Sequence, residues 1–212
     1  GGVIATRNIV AQADLVFFIG CRAGSTTTEH WRFPSPNTTI IHLDIDANTI
    51  GVNYKTHAQL LGDAKLTLES MNILLQKQIV DRTKNVVDGK TLSLKCKEEK
   101  FAPFLKLAQS DVSPIVPERI VHSLNRLLPK DAIVCADPGT PCPYFSAYFL
   151  SELPGRHFIT NRAHGALGYA MSAAIGAAIG CPKLKSVAVM GDGSFGFTVG
   201  ELETITRRKL PI

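Results

Sequence analysis

The chain has 212 residues, 22.9 kDa, 45% apolar and 19% charged residues, and a net charge of +5. That balance belongs to a folded globular protein and excludes a disordered tail, while 17 Gly and 12 Pro without a three-residue period exclude a collagen-like fibre. No apolar run approaches the ~18 residues of a membrane-spanning helix, so no membrane partner is expected.

The opening residues, Gly1 to Arg7, carry neither the basic start nor the apolar core of an export signal. Cys21, Cys96, Cys135, Cys142 and Cys181 form an odd set without a C-x-x-C pair, which argues against a disulfide framework and a zinc site. Free thiols in a cytoplasmic protein are expected. Leu15 to Ile19 is a short apolar run ending at Gly20, the pattern of a strand buried on both faces. Ile40 to Asp46 reads as a second strand. Asp63 then caps a predicted helix with Ala64, Leu68, Met71 and Leu75 at helical spacing.

Between Gln76 and Ser110, eight basic residues face four acidic ones, nearly the whole excess charge of the chain. The stretch carries no recognised nucleic-acid-binding motif and reads as a solvated connector, with no nucleic-acid partner. Beyond it, Pro117 suits the first turn of a helix striped by Ile120, Val121, Leu124, Leu127 and Leu128 and stopped by Pro129. A strand is predicted over Ala132 to Ala136. Ala163 to Gly180 reads as a helix whose small residues let it approach a sheet closely. Another strand spans Ser186 to Met190, and Thr198-Val199-Gly200-Glu201 fits a capping box opening a last helix. The chain is thus predicted to be α/β, with parallel sheets and flanking helices, in two incomplete regions, 1–75 and 113–212, joined by the connector 76–112.

Gly191-Asp192-Gly193-Ser194 follows the last strand. Turns at the carboxyl ends of parallel strands are where open α/β sheets bind ligands, and glycines there let backbone N–H groups approach a phosphate. Asp192 adds a hard oxygen suited to Mg²⁺, so the tetrapeptide fits a magnesium-bridged diphosphate; it also fits a plain turn. Asp44 and Asp46 lie one pleat period apart near a strand end, where an acidic residue can hold a ribose hydroxyl or simply cap neighbouring backbone. His164 can serve as an acid/base at neutral pH or as an ordinary surface residue.

Gly191 to Phe195 with Glu201-Leu202 and Leu210-Pro211, the helix from Gly165 to Gly176, and Asp137-Pro138-Gly139-Thr140 occur in an order that resembles the thiamine-diphosphate enzymes of the acetolactate synthase and benzoylformate decarboxylase superfamily. Ala13 to Arg22, Ile41 to Asp46 and Leu61 to Ala64 resemble their Rossmann-like central domain. The resemblance implies that Asp192 binds Mg²⁺, that Gly191, Gly193 and Ser194 contact the diphosphate, and that Gly139 and Thr140 line its other side. It further implies that Leu167 is the apolar residue on which the cofactor bends, with His164 at the rim. Pro141 stands where acetolactate synthases commonly carry a polar diphosphate contact.

The implied activity is decarboxylation or carboligation of a 2-oxoacid in a homodimer or homotetramer. FAD or ADP in the central domain and the noncatalytic role of a nucleotide-binding or assembly protein are the alternatives. Twenty residues separate Asp192 from the end of the chain, so the family's Asn ligand to the metal, and likewise its activating Glu, are expected outside these 212 residues, and the chain alone is expected to be inactive.

Overall fold

The computed structural model describes residues 3–78 and 88–212, which divide into two compact units at residues 100 and 101. Residues 79–87 of the basic stretch lie outside the described residues. Each unit carries a three-stranded parallel sheet with flanking helices, the α/β architecture predicted from the strand and helix periodicities. No helix among the described residues is long and apolar enough to cross a membrane.

The first unit contains α1 (Ile4–Ala11), β1 (Leu15–Ile19), α2 (Ser25–Thr28), β2 (Thr39–Asp44), β3 (Ala58–Leu61) and α3 (Ala64–Lys77). Its strand order is β1-β2-β3, and β2 is central, with Ile40 and Leu43 buried. β1 was expected to be covered on both faces. Among the described residues it is an edge strand paired only with β2, and its ends, Leu15 and Ile19, stay exposed. Buried His42 ties the loop after β1 to the sheet: its Nε2 donates to the Cys21 carbonyl at 3.0 Å, and its Nδ1 accepts from the Gly51 N–H at 3.3 Å. The two contacts together select the Nε2-protonated ring.

Asp63 caps α3 as predicted, its Oδ1 accepting from the Leu66 N–H at 3.0 Å. Asp63→Ala is expected to lower stability by about 1 kcal/mol, the ordinary cost of an N-cap, with no effect on ligand binding; urea unfolding measures it.

α4 (Gly89–Ala108) contains the division between the units. The solvated connector predicted for this stretch needs correction at its carboxyl-terminal end, where Phe104 and Ala108 are buried in the core of the second unit. Phe104 stacks on Tyr148 with ring centroids 4.3 Å apart. Phe101, Phe104 and Ala108 fall on one helical face at spacings of three and four, an apolar stripe hidden in the sequence by the surrounding lysines.

The second unit continues with α5 (Pro117–Leu127), β4 (Ile133–Ala136), α6 (Pro141–Tyr148), β5 (Phe158–Thr160), α7 (Tyr169–Gly180), β6 (Ser186–Val189), α8 (Asp192–Thr198) and α9 (Glu201–Arg208). The order is β5-β4-β6, all parallel. All four residues of central β4 are buried. Val134 and Ala136 pack against α4, α5 and α6 on one face, and Ile133 and Cys135 against α7 on the other. The close approach of α7 comes from Ala170, Ala174 and Ala178, which are buried, whereas a Cβ at Gly176 or Gly180 would meet nothing within 4 Å.

The predicted capping box does not form. Thr198 ends α8 and its hydroxyl donates to the Gly168 carbonyl at 3.4 Å, while Gly200 takes the N-cap position of α9 without a side-chain bond.

Candidate functional site

Parallel register sets Ala136 of β4 opposite both Thr160 of β5 and Val189 of β6. The loops that follow the three strands, residues 137–140, 161–168 and 190–191, therefore leave the sheet at one edge. α6, which follows β4, packs on one face; α8, which follows β6, packs with α7 on the other. Adjacent strands whose next helices go to opposite faces leave a crevice at their carboxyl ends, the usual ligand position in an open α/β sheet.

Asp137 organises this edge. It is fully buried, and its two carboxylate oxygens accept from the Gly168 N–H at 2.9 Å and the Ala170 N–H at 2.8 Å. One side chain at the end of β4 thus satisfies orphan donors at the start of α7, 31 and 33 residues away. Gly168, at φ +88°, is the N-cap of α7. A Cβ there would lie 2.7 Å from Thr198 Cγ2 and 3.2 Å from Phe197 Cβ, so α8 sits directly against this glycine. Neither Asp137 nor Gly168 was singled out as a site residue from sequence, although an acidic residue directly after an apolar strand was a visible signal for the first.

The sequence-predicted site residues of this unit gather at the same edge. Gly139 lies beneath Leu167, whose Cδ2 would be 3.5 Å from a Cβ at that position. Leu167 is 47% exposed, a bulky apolar side chain without full cover. Thr140 is exposed at the N-cap position of α6. Gly191 caps α8, and a Cβ at Gly191 or Gly193 would meet nothing within 4 Å, so open space adjoins both backbone positions.

The predicted turn at residues 191–194 is the cap and first turn of α8, whose first intrahelical bond is Phe195 N–H to the Gly191 carbonyl at 2.9 Å. That leaves the N–H groups of Gly193 and buried Ser194 without intrahelical acceptors. Asp192, the first residue of α8, is exposed, and its carboxylate has no hydrogen-bond or ion-pair partner among the described residues. His164 is exposed in the turn that the Gly165 N–H closes onto the Asn161 carbonyl.

Asp44 and Asp46 lie in the other unit, engaged locally. Asp44 Oδ1 accepts from the Asp46 N–H at 3.0 Å, and Asp46 Oδ1 accepts from the Asn48 N–H at 2.9 Å. These Asx turns are the backbone-capping alternative raised by the sequence.

The donor set fits a magnesium diphosphate. Among the described residues no three His, Cys, Asp or Glu side chains cluster as a metal cage. A lone free carboxylate beside open backbone N–H groups suits Mg²⁺, which takes one or two protein carboxylates and completes its octahedron with phosphate and water oxygens.

The sequence matches the family described as "Thiamine pyrophosphate enzyme, C-terminal TPP binding domain" over residues 137–212 and "Thiamine pyrophosphate enzyme, central domain" over residues 1–71. The chain belongs to the thiamine pyrophosphate enzyme family. Among its relatives is a protein named probable acetolactate synthase large subunit of Methanocaldococcus jannaschii, 29% identical over 221 residues that include 100% of this chain and 35% of the relative. The acetolactate synthase isozyme 3 large subunit of Escherichia coli K12 is 28% identical over 211 residues, 100% of this chain and 36% of the relative. The chloroplastic acetolactate synthase 1 of Nicotiana tabacum is 29% identical over 211 residues, 100% and 31%. The chain spans about a third of the length of these relatives. In this member of the family the C-terminal match begins at Asp137, the buried carboxylate that joins β4 to α7.

Proposed function

We propose that the intact protein is a thiamine-diphosphate- and magnesium-dependent enzyme that decarboxylates or carboligates a 2-oxoacid, acting as a cytoplasmic homodimer or homotetramer. The observation that carries this reading is the unpartnered Asp192 carboxylate at the head of α8, on the same sheet edge as Gly139 and Leu167. Acetolactate synthase relatives that match across the whole chain support it.

Thiamine diphosphate, when bound, supplies an electron sink for breaking the bond next to a 2-oxoacid carbonyl. The chain's own residues bind and orient it. Asp192 would hold Mg²⁺, and the Gly193 and Ser194 N–H groups would hold the diphosphate, with Gly191, Gly139 and Thr140 beside them. Leu167 would offer the cofactor apolar support, and His164 stands exposed at the rim.

CO₂ release from pyruvate and a panel of larger 2-oxoacids by the intact protein, with and without thiamine diphosphate, tests the reading. Cofactor-dependent release from at least one of them is expected; a folded, cofactor-loaded protein that consumes none contradicts it. Leu167→Ala is expected to lower turnover by about 100-fold through lost positioning. Because the side chain is half exposed, the same change is expected to alter unfolding free energy by less than about 1 kcal/mol.

A further inference from the structure

The three loops at the site edge hold a single permanent cation, Arg162, and its surroundings are built to place it. Arg162 Nη1 donates to Cys142 Sγ at 3.5 Å. The Thr160 hydroxyl donates to the same sulfur at 3.5 Å, and the Ser146 hydroxyl lies 3.5 Å from it. Cys142 is fully buried in the first turn of α6, so the sulfur joins the start of that helix to the residues that end β5. Burial pushes the Cys142 thiol up, but hydrogen bonds from Ser146, Thr160 and Arg162 and the Arg162 charge outweigh it and hold the thiol below its ordinary value. Cys135 in β4, buried without such donors, is pushed up to about 11. The two thiols differ by what surrounds them: one is inert filling, the other a polarised acceptor with a guanidinium attached.

The remaining Arg162 donors have no partner among the described residues, and the residue is exposed. A guanidinium gripped on one nitrogen still presents a free fork for a planar anion, with part of its side-chain freedom already lost. Backbone donors cannot take this role at the start of α6, because Pro141 and Pro143 have no N–H and the Cys142 N–H bonds the Gly139 carbonyl at 3.2 Å. The acids of this edge are not competitors for the fork: Asp137, in the first loop, is occupied by two N–H groups, and Asp192, at the head of α8, makes no ion pair among the described residues.

We propose that Arg162, tethered through the Cys142 sulfur, is an anion-binding residue of this edge that takes a carboxylate or phosphate group. The source of the anion rests on the function proposed above: it is either the substrate's carboxylate or the cofactor's diphosphate. The tether makes Cys142 a positioning residue.

The test uses the intact protein and its Arg162→Met, Arg162→Lys and Cys142→Ala variants. Calorimetry of the cofactor-free protein with thiamine diphosphate and with inorganic pyrophosphate reads phosphate binding, and the KM for the preferred 2-oxoacid reads carboxylate binding. Arg162→Met is expected to weaken one of these constants by about 10- to 100-fold while leaving the thermal midpoint within ~2 °C, because the side chain is exposed. A raised Kd assigns phosphate; a raised KM assigns carboxylate. Arg162→Lys restores part of the loss. Cys142→Ala, which leaves the charge but frees it, weakens the same constant by about 3- to 10-fold.

Arg162→Met with all constants within twofold of the wild type overturns the inference, and Cys142→Ala without effect beside a weakened Arg162→Met overturns the tether. If the wild-type protein binds no thiamine diphosphate, the proposed function fails. Pyrophosphate binding then decides Arg162 on its own, an unchanged Kd in Arg162→Met overturning it.

Discussion

Gly168→Ala is expected to destabilise the protein by about 2–5 kcal/mol and to weaken cofactor binding together with it. Two costs combine. An L-residue at φ +88° is strained by ~1–2 kcal/mol, and the new Cβ, 2.7 Å from Thr198 Cγ2, forces α8 outward at an overpacking cost of ~1–3 kcal/mol. The displaced helix is the one that carries Asp192, Gly193 and Ser194. Gly165→Ala is the control, since Gly165 shares the left-handed conformation, φ +69°, but a Cβ there would meet nothing within 4 Å. Urea unfolding of both variants separates strain from displacement. Equal losses in the two would show that α8 does not depend on contact with Gly168.

Asp137→Ala is expected to cost about 3–5 kcal/mol, because it abandons the Gly168 and Ala170 N–H groups in a site without solvent access. Asp137→Asn keeps the shape but turns one acceptor into a donor facing an N–H, so about 2–3 kcal/mol is expected, with the loss again local to the start of α7. Amide hydrogen exchange reads this directly: the Gly168 and Ala170 amides should lose protection in either variant, while those of β4 and β6 keep it. Protection unchanged at Gly168 and Ala170 would remove Asp137 from its organising role.

How much of this edge the sequence revealed follows from the range of the interactions involved. Local signals worked: the Asp63 cap, the Pro117 start of α5 and the apolar runs of β2, β4 and β6 are each defined within a few residues, and the structure has them. Short or punctuated elements were hidden. β5 is the three residues Phe158–Thr160, and α6 opens with Pro141 and Pro143, whose missing N–H groups the first helical turn does not need.

The apolar stripe of α4 was masked by charge. The site was legible where glycines and an acidic residue follow a strand, as at Gly191 to Ser194 and at Gly139. The long-range partners were not legible: Asp137 is visible as an acidic residue after a strand, but nothing local shows that it reaches Gly168, 31 positions away, or that Cys142 accepts from Arg162, 20 positions away.

The central claim is that Asp192 anchors a divalent cation that holds the cofactor's diphosphate. Isothermal calorimetry of thiamine diphosphate into the intact protein, with and without Mg²⁺, for the wild type and Asp192→Asn, tests it most directly. The account predicts Mg²⁺-dependent binding in the wild type and a loss of about 100-fold in affinity in Asp192→Asn, equivalent to the ~3 kcal/mol of an ionic partner removed. Binding that ignores Mg²⁺, or an Asp192→Asn variant that binds as tightly as the wild type, would contradict it.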